Sequence, residues 1–241
     1  MKEVQNCRMK SCIALLLISL IILIPDFGLS DRGKIVPVTQ FTATDAAKGL
    51  PSGWKLEKNR GNVFMRLVTI KDSVYLQMAS DGHSSFGIKR ALSVNLKEYP
   101  YLNWTWMAKR LPIGGDIRKA NRGDQAAQLY VGLPAIGFPE KLNTPIVGYI
   151  WDSEAPKGLE TRSPKHLLGK IRYIVIRNKT DHLGQWYTEK RNIYEDYRRL
   201  FKDIKGGESQ ANTQGILLMI NSCYTKSSAE SLIGNIYFSL T

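Results

Sequence analysis

The chain is poor in the residues that build nucleophilic and metal-binding sites. Its 241 residues include three cysteines and three histidines, and only Cys223 among the cysteines lies beyond the first thirty positions. No histidine neighbours Cys223 and no G-x-S-x-G motif occurs, so acyl-transfer chemistry has no evident nucleophile. The histidines also lack the short spacing of zinc ligands. We therefore predict no catalytic residue of these classes, no bound metal and no cofactor.

Long apolar runs are also scarce. One such run, residues 12–24, follows three basic residues and is interrupted only by a serine. It is shorter than the roughly 20 residues that a membrane-spanning helix needs, and the small residues Gly28 and Ser30 precede a suitable cleavage position. We predict a signal peptide over residues 1–30 and a single periplasmic or secreted domain over residues 31–241. Membrane contact is expected only through an uncleaved leader.

Acidic residues are outnumbered, because 34 Lys and Arg residues face 21 Asp and Glu residues, which gives a formal net charge of +13. Such a surface favours anionic partners, among them an acidic envelope polymer. No run of Lys and Arg exceeds two residues, and no basic stripe is interleaved with aromatic residues. The sequence therefore does not indicate a nucleic-acid-binding protein.

The abundant feature is the alternation of apolar and polar residues, which is the period of β-strands. The chain is organised around residues 101–131, two strand patterns joined by a glycine- and charge-rich loop, and Trp104 and Trp106 share a face with Leu102 in the first. Further strand patterns recur at a spacing of roughly 8 to 20 residues without alternating helices. The sequence predicts an all-β fold, an antiparallel β-sandwich of the jelly-roll kind, with Trp104 and Trp106 in its core.

One amphipathic helix is predicted near residues 192–205. Asn192 is suited to the N-cap, and Glu195 follows three residues later, as in a capping box. Gly206 and Gly207 end the pattern. We expect the helix to pack against one edge or end of the sandwich, through apolar residues that share one face at helical spacing: Ile193, Tyr197, Leu200, Phe201 and Ile204.

The carboxylates of Asp116 and Asp124, in the loop between the two central strands, have three interpretations. Oxygen-rich loops can hold calcium. A pair of carboxylates can hydrolyse a glycosidic bond. An Asp beside Gly or Asn in a loop more often forms turn hydrogen bonds with backbone amides. We expect both side chains to be displayed at one end of the central strands, where any of these roles is open to them.

Four further residues near predicted loops are candidates for ligand contact. Trp151 and Trp186 lie where strand patterns meet loops, so we expect these tryptophans to contact a ligand such as a glycan. Glu189 and Arg191 point to one face of a strand just before the helix. Together with Asp196 they could form an ion-pair network that fixes the helix to a sheet, or they could belong to a ligand site.

A series of motifs resembles a family of exported bacterial proteins. The motifs are EYPYLNWTW (98–106), PIGGD (112–116), GDQAAQLYV (123–131), YIW (149–151), SP (163–164), GQWYTEKRNIYEDY (184–197) and GNIYF (234–238). The family is the domain of unknown function that is numbered three-thousand-and-forty-seven. The resemblance implies an extracytoplasmic β-sandwich akin to galactose-binding or carbohydrate-binding modules, and it implies no established activity.

The chain departs from this family at three positions. Members tend to carry acidic residues where this chain has Asn221, Cys223 and Asn235. If those acids hold a cation in relatives, the resemblance implies that this chain has lost or weakened the site.

Two classes of function follow from the sequence. The first is a non-catalytic module that binds a glycan or another anionic envelope component. The alternative is a hydrolase or lyase that acts on a polysaccharide, with loop carboxylates as acid or base. The predicted ligand-binding residues are Asp116, Asp124, Trp151, Trp186, Glu189 and Arg191.

Overall fold

Strands dominate the part of the chain that the computed structural model describes, residues 34–39, 41–165 and 170–241. The predicted signal peptide, residues 1–30, lies outside that part. The described residues belong to one compact unit, Gly33–Thr241, and none of their helices has the length and apolar character needed to cross a membrane. The elements in chain order are β1 (Ile35–Pro37), α1 (Ala43–Lys48), β2 (Lys55–Arg60), β3 (Phe64–Ile70), β4 (Ser73–Ser80), β5 (Ser85–Ala91), β6 (Tyr101–Arg110), β7 (Gln125–Gly132), α2 (Glu140–Asn143), β8 (Ile146–Trp151), β9 (Glu160–Arg162), β10 (Ile171–Arg177), β11 (Tyr187–Asn192), α3 (Ile193–Phe201), β12 (Gly215–Asn221) and β13 (Ala229–Ser239).

The strands form two sheets that enclose a common core. A six-stranded sheet has the order β11, β6, β13, β4, β3, with β1 paired to the C-terminal part of β13. A seven-stranded sheet has the order β2, β5, β12, β7, β8, β10, β9. The predicted all-β sandwich is therefore confirmed. One pairing departs from the antiparallel expectation, because β8 and β10 run parallel and are connected by a crossover that includes β9.

The two central strands of the sequence lie in different sheets. β6 pairs with β11 and β13 in the six-stranded sheet, whereas β7 lies between β12 and β8 in the seven-stranded sheet. The loop between them, residues 111–124, therefore crosses from one sheet to the other. Backbone hydrogen bonds fold this loop on itself, including one from Asp116 N to Arg122 O of 2.7 Å.

Four large aromatic side chains join the two sheets through the core. Trp104 and Trp106 on β6 pack against Tyr149 and Trp151 on β8, with ring centroids 5.1 Å apart for Trp104 and Tyr149 and 5.7 Å apart for Trp106 and Trp151. All four side chains are buried. Such aromatic pairs contribute about 0.5–1.5 kcal/mol beyond the burial of their area. The prediction that Trp104 and Trp106 belong to the core is confirmed.

The predicted amphipathic helix is α3, which ends at Phe201 rather than near residue 205. Asn192 is its N-cap, and the Asn192 side-chain oxygen accepts the backbone N–H of Glu195 at 3.1 Å. Tyr197 and Phe201 are completely buried. The turns after Phe201 lead to Gly206, whose positive φ of 74° suits glycine. The helix is therefore shorter than its apolar pattern predicts, while its buried face is the predicted one.

Candidate functional site

A groove of about 1040 Å³ crosses the face of the seven-stranded sheet that points away from the core. Strand alternation determines which side chains line it. On β7, Ala127 and Leu129 face the core, whereas Gln128 and Tyr130 face the groove. Strands β2, β5, β10 and β12 add further lining residues, and the loops after β9 and β12 contribute Lys165 and Tyr224. The groove is thus built on a rigid sheet and bordered by loops, a common arrangement for binding sites.

Gly148 on β8 makes room for an aromatic pair on the floor of the groove. Tyr130 on β7 and Tyr173 on β10 lie on either side of β8, with ring centroids 6.0 Å apart and an interplanar angle of 68°. A Cβ atom on residue 148 would lie 2.8 Å from Cδ1 of Tyr173 and 2.9 Å from Cε1 of Tyr130. Any side chain at this position would therefore push the rings away. The glycine lets both tyrosines pack over the bare backbone of β8.

A chain of hydrogen bonds leads from the buried Asp152 to Tyr130. Gln125 Nε2 donates to Asp152 Oδ2 at 3.1 Å, and Gln128 Nε2 donates to Gln125 Oε1 at 2.6 Å. The Tyr130 hydroxyl then donates to Gln128 Oε1 at 2.8 Å. Because an ionised carboxylate only accepts hydrogen bonds, Asp152 fixes the direction of every bond in this chain. We call these four residues the Asp152–Tyr130 chain.

Burial shifts the ionisation of three groups around this chain. Burial raises the pKa of Asp152, while its hydrogen bonds, of which the one from the backbone of Ala155 has the largest effect, act in the opposite direction. Burial raises the pKa of Tyr130 well above its usual value and also raises the pKa of Tyr173. Both phenols are therefore protonated at neutral pH. They are suited to hydrogen bonding and stacking rather than to proton abstraction, for which a pKa near the operating pH is best.

Lys165 and Tyr224 meet at one end of the groove. The Lys165 ammonium nitrogen lies 3.2 Å from the centroid of the Tyr224 ring, a cation–π contact. Asp124 fixes the loop that carries Tyr224, because its Oδ2 accepts the backbone N–H groups of Tyr224 at 2.8 Å and of Thr225 at 2.6 Å. The Tyr224 side chain is half exposed, so a ligand in the groove can reach it.

Asp116 and Asp124 point inward rather than being displayed on the loop surface, which corrects the sequence-based expectation. Asp116 is 1% exposed and accepts two hydrogen bonds from the Arg118 guanidinium, at 2.8 and 2.9 Å. These bonds lower the pKa of Asp116. Both carboxylates hold loops in place, as the turn interpretation predicts, and neither lines the groove. Within the described residues, no group of three or more His, Cys, Asp and Glu side chains could hold a metal ion.

The two tryptophans proposed for ligand contact have different positions. Trp151 is 0% exposed, and its Nε1 donates to the backbone oxygen of Asn178 at 3.3 Å. This burial contradicts the prediction that Trp151 contacts a ligand, because Trp151 shares the core-facing side of β8 with Tyr149. Trp186 is partly exposed and stacks on Tyr75 with ring centroids 4.3 Å apart. Tyr75 lies on the outer face of the six-stranded sheet, so Trp186 does not face the groove.

Glu189 and Arg191 take part in two separate structural clusters. Glu189 Oε1 accepts hydrogen bonds from Trp106 Nε1 at 3.1 Å and from Arg177 Nε at 2.7 Å. Arg191 forms a two-bond ion pair with Asp196 of α3, at 2.9 and 2.6 Å. The interpretation as a network that fixes the helix to a sheet is confirmed for Arg191 and Asp196. Glu189 instead binds Arg177 at the end of β10.

The lining residues Gln128, Tyr130 and Tyr173 are not among those predicted from the sequence. A signal for two of them is present, because Gln128 and Tyr130 alternate with Leu129 and must therefore face away from the core. The neighbouring Gln125 is a further sign, since a glutamine on a buried strand needs hydrogen-bond partners. What the pattern lacks is any indication that the far side of this sheet carries a groove.

Fold and groove together define a two-sheet β-sandwich protein with a binding-type groove across one sheet. The family described as "Protein of unknown function (DUF3047)" matches residues 52–237. The chain belongs to this family, so the resemblance seen in its motifs is confirmed. A search of the curated proteins gives no match.

Among solved structures, the chain is similar to several β-sandwich proteins that act on or bind carbohydrates. The family 11 carbohydrate-binding module of Clostridium thermocellum, in complex with a β-1,3-1,4-mixed-linked tetrasaccharide, is 12% identical, with 86% of this chain and 94% of that chain covered and a TM-score of 0.40. A cellulase derived from Cel12A of Rhodothermus marinus is 9% identical over 84% of this chain and 98% of that chain, with a TM-score of 0.44.

Proposed function

We propose that this protein is exported and binds a glycan in the groove of the seven-stranded sheet without cleaving it. The observation that carries the proposal is the tyrosine floor of the groove combined with the Asp152–Tyr130 chain. Export is proposed from the leader pattern of residues 1–30.

The composition of the groove suits a sugar chain. A sugar ring has an apolar face bordered by hydroxyl groups, and sites for such molecules combine aromatic surfaces with a few fixed polar groups. The paired rings of Tyr130 and Tyr173 and the exposed ring of Tyr224 supply the aromatic surface. The phenol of Tyr130 supplies a hydrogen-bonding group. Since Asp152 fixes its orientation through Gln125 and Gln128, little ordering of the site is needed when a ligand binds.

The alternative, a polysaccharide hydrolase or lyase that uses loop carboxylates, has less support. Glycoside hydrolysis uses two carboxyl groups on either side of the scissile bond. Asp116, Asp124 and Glu189 are instead held by arginine side chains or backbone amides. Among the described residues that line the groove there is neither Asp nor Glu. Binding without cleavage is therefore the function that the groove supports best.

Affinity electrophoresis of the purified protein in gels that contain different soluble polysaccharides tests this proposal. We expect at least one polysaccharide to retard the protein. We also expect Tyr130→Leu to weaken binding by about 1–2 kcal/mol, roughly 5- to 30-fold, because it removes a stacking ring and a hydrogen-bonding group. Repeating the assay with a chelator should leave the retardation unchanged.

Trp186→Ala is the matched control, because it removes a partly exposed aromatic ring from the opposite sheet. It should bind within twofold of the wild type. If Trp186→Ala abolished retardation while Tyr130→Leu left it intact, the binding face would be the outer face of the six-stranded sheet and the groove proposal would be wrong.

A further inference from the structure

We infer that the glycan bound in this groove is acidic, with an anionic group repeated along the polymer. The inference rests on the proposed function and adds the charge class of the ligand. Five of the side chains that line the groove are basic, and none of the described lining residues is acidic. The whole chain has 34 basic and 21 acidic residues, so the groove is more basic than the protein as a whole.

Two of the five basic side chains are already occupied. Lys89 forms an ion pair with Glu57 at 2.5 Å. Arg90 donates from Nη1 to the backbone oxygen of Val38 at 2.6 Å. Both side chains therefore already have a partner within the protein.

The other three basic side chains, Lys55, Arg60 and Lys165, have no carboxylate within ion-pair distance among the described residues. Lys55 and Arg60 are exposed. Lys165 lies against the ring of Tyr224, a contact that positions its ammonium group without neutralising it. The groove therefore presents three positive charges without a negative partner from the protein.

The positions of these charges favour a polymer over a single small anion. Lys55 and Arg60 are at opposite ends of β2, about 16 Å apart along an extended strand. On a regular strand Lys55 and Arg60 would point to opposite faces, because they are an odd number of positions apart. A register shift between Lys58 and Arg60 lets both side chains reach the same side of the sheet. The Lys165 ammonium lies over the Tyr224 ring, at the same end of the groove as Arg60, and both of these cations act to lower the pKa of Cys223. Positive charge therefore stands at both ends of the groove, with Lys55 alone at the far end. One phosphate or sulfate ion cannot bridge this separation, whereas an extended polyanion can.

The experiment compares matched polymers that differ in charge alone. Polygalacturonate is paired with its fully methyl-esterified form, and dextran sulfate with dextran, so that carboxylate and sulfate groups are tested separately. Binding of the purified protein is measured by affinity electrophoresis and calorimetry at 50 and 300 mM salt. We expect at least one acidic polymer to bind tenfold or more tightly than its neutral partner, and we expect this preference to shrink at the higher salt concentration.

Single substitutions locate the effect. Lys55→Gln, Arg60→Gln and Lys165→Gln should each weaken binding of the acidic polymer three- to tenfold. Lys71→Asn is the control: it removes one positive charge from the β3–β4 turn of the other sheet, and asparagine tolerates the positive φ of 54° found at that position. It should change binding less than twofold.

The possible outcomes separate this inference from the proposed function. Equal binding of acidic and neutral polymers, weakened by Tyr130→Leu, would overturn the inference and leave the proposed function standing. Acidic-polymer binding that falls equally for Lys71→Asn and the groove variants would overturn it too, because the net charge alone would then explain binding. Absence of binding to these four polymers and to every other polysaccharide would overturn both proposals.

Discussion

Replacing Asp152 with Asn should destabilise the protein and disturb the groove, because both carboxylate oxygens of Asp152 act as double acceptors. Oδ2 accepts the backbone N–H of Ile117 at 2.9 Å and Nε2 of Gln125 at 3.1 Å. Oδ1 accepts the backbone N–H groups of Glu154 at 2.9 Å and Ala155 at 2.8 Å. An asparagine retains one of these oxygens and turns an NH₂ group toward two N–H donors.

The expected loss follows from the two donors that lose their acceptor. Each buried donor left without a partner costs about 1–3 kcal/mol, so the loss for two donors is about 2–6 kcal/mol. Part of this is offset, because burial raises the pKa of Asp152, which means that its charged form is costly in the folded protein. We therefore expect a decrease of about 2–3 kcal/mol in the free energy of unfolding, a large share of the 5–15 kcal/mol typical of a domain.

The same substitution should reach the groove through the Asp152–Tyr130 chain. If the asparagine NH₂ faces Gln125, the Gln125 amide must rotate to present its oxygen. Its NH₂ group then faces the NH₂ group of Gln128, and the reversal continues to the hydroxyl of Tyr130. Glycan affinity should fall together with stability.

Urea denaturation followed by tryptophan fluorescence measures the loss of stability, and affinity electrophoresis measures the loss of glycan affinity. Asp72→Asn, which makes the same chemical change on an exposed residue of the β3–β4 turn, is the control and should alter stability by less than about 0.5 kcal/mol. An Asp152→Asn protein with wild-type stability and wild-type glycan affinity would refute the role of this carboxylate in orienting the groove.

Three further predictions test other parts of the structure. Gly148→Ala should weaken glycan binding about tenfold and cost about 1–3 kcal/mol of stability by displacing the two floor tyrosines, as measured by affinity electrophoresis and urea denaturation; unchanged binding would contradict this account of the floor. Arg118→Gln should destabilise the protein slightly at neutral pH, because it removes two hydrogen bonds to Asp116. Arg118 lowers the pKa of Asp116, so the stability from this carboxylate is present above its ordinary pKa and is lost as pH falls through the lowered value; in the variant, acid unfolding monitored by circular dichroism should begin at a higher pH. Asp196→Asn should cost about 2 kcal/mol, because it leaves two partly exposed arginines without a buried partner, while glycan affinity stays unchanged.

The strands were predictable where alternation is strong. The apolar-rich segments at 146–151 and 171–177 coincide with β8 and β10, and Lys71 and Asp72 form the tight link between β3 and β4. The three-residue strand β9 carries no such pattern, because it is too short to show a period. The parallel pairing of β8 with β10 could not be predicted either, because the direction of pairing depends on the path of the connecting chain and not on the composition of either strand.

The site was less predictable than the fold for a physical reason. The alternation of apolar and polar residues separates the two faces of a strand. It does not show which outward face borders a groove, because the groove also depends on loops that are distant in the sequence. Trp151 illustrates an avoidable error: it has the same parity as Tyr149 on β8, and this predicts the core. The groove tyrosines illustrate an unavoidable one, because the close approach of Tyr130 and Tyr173 requires knowledge that Gly148 lies between them.

The positions of the acidic side chains affect both the stability of this protein and the charge of its groove. Asp116, Asp124, Glu189 and Asp196 are nearly or completely removed from solvent, where they hold loops and the helix in place. These carboxylates contribute little negative charge to the surface that a ligand would meet. The protein has a positive net charge, and in the groove this positive charge is not balanced by neighbouring carboxylates from the described part of the chain. Both the buried acids and the unpaired basic residues of the groove then follow from one arrangement, in which the acids stabilise the fold and Lys55, Arg60 and Lys165 keep no carboxylate partner among the described residues.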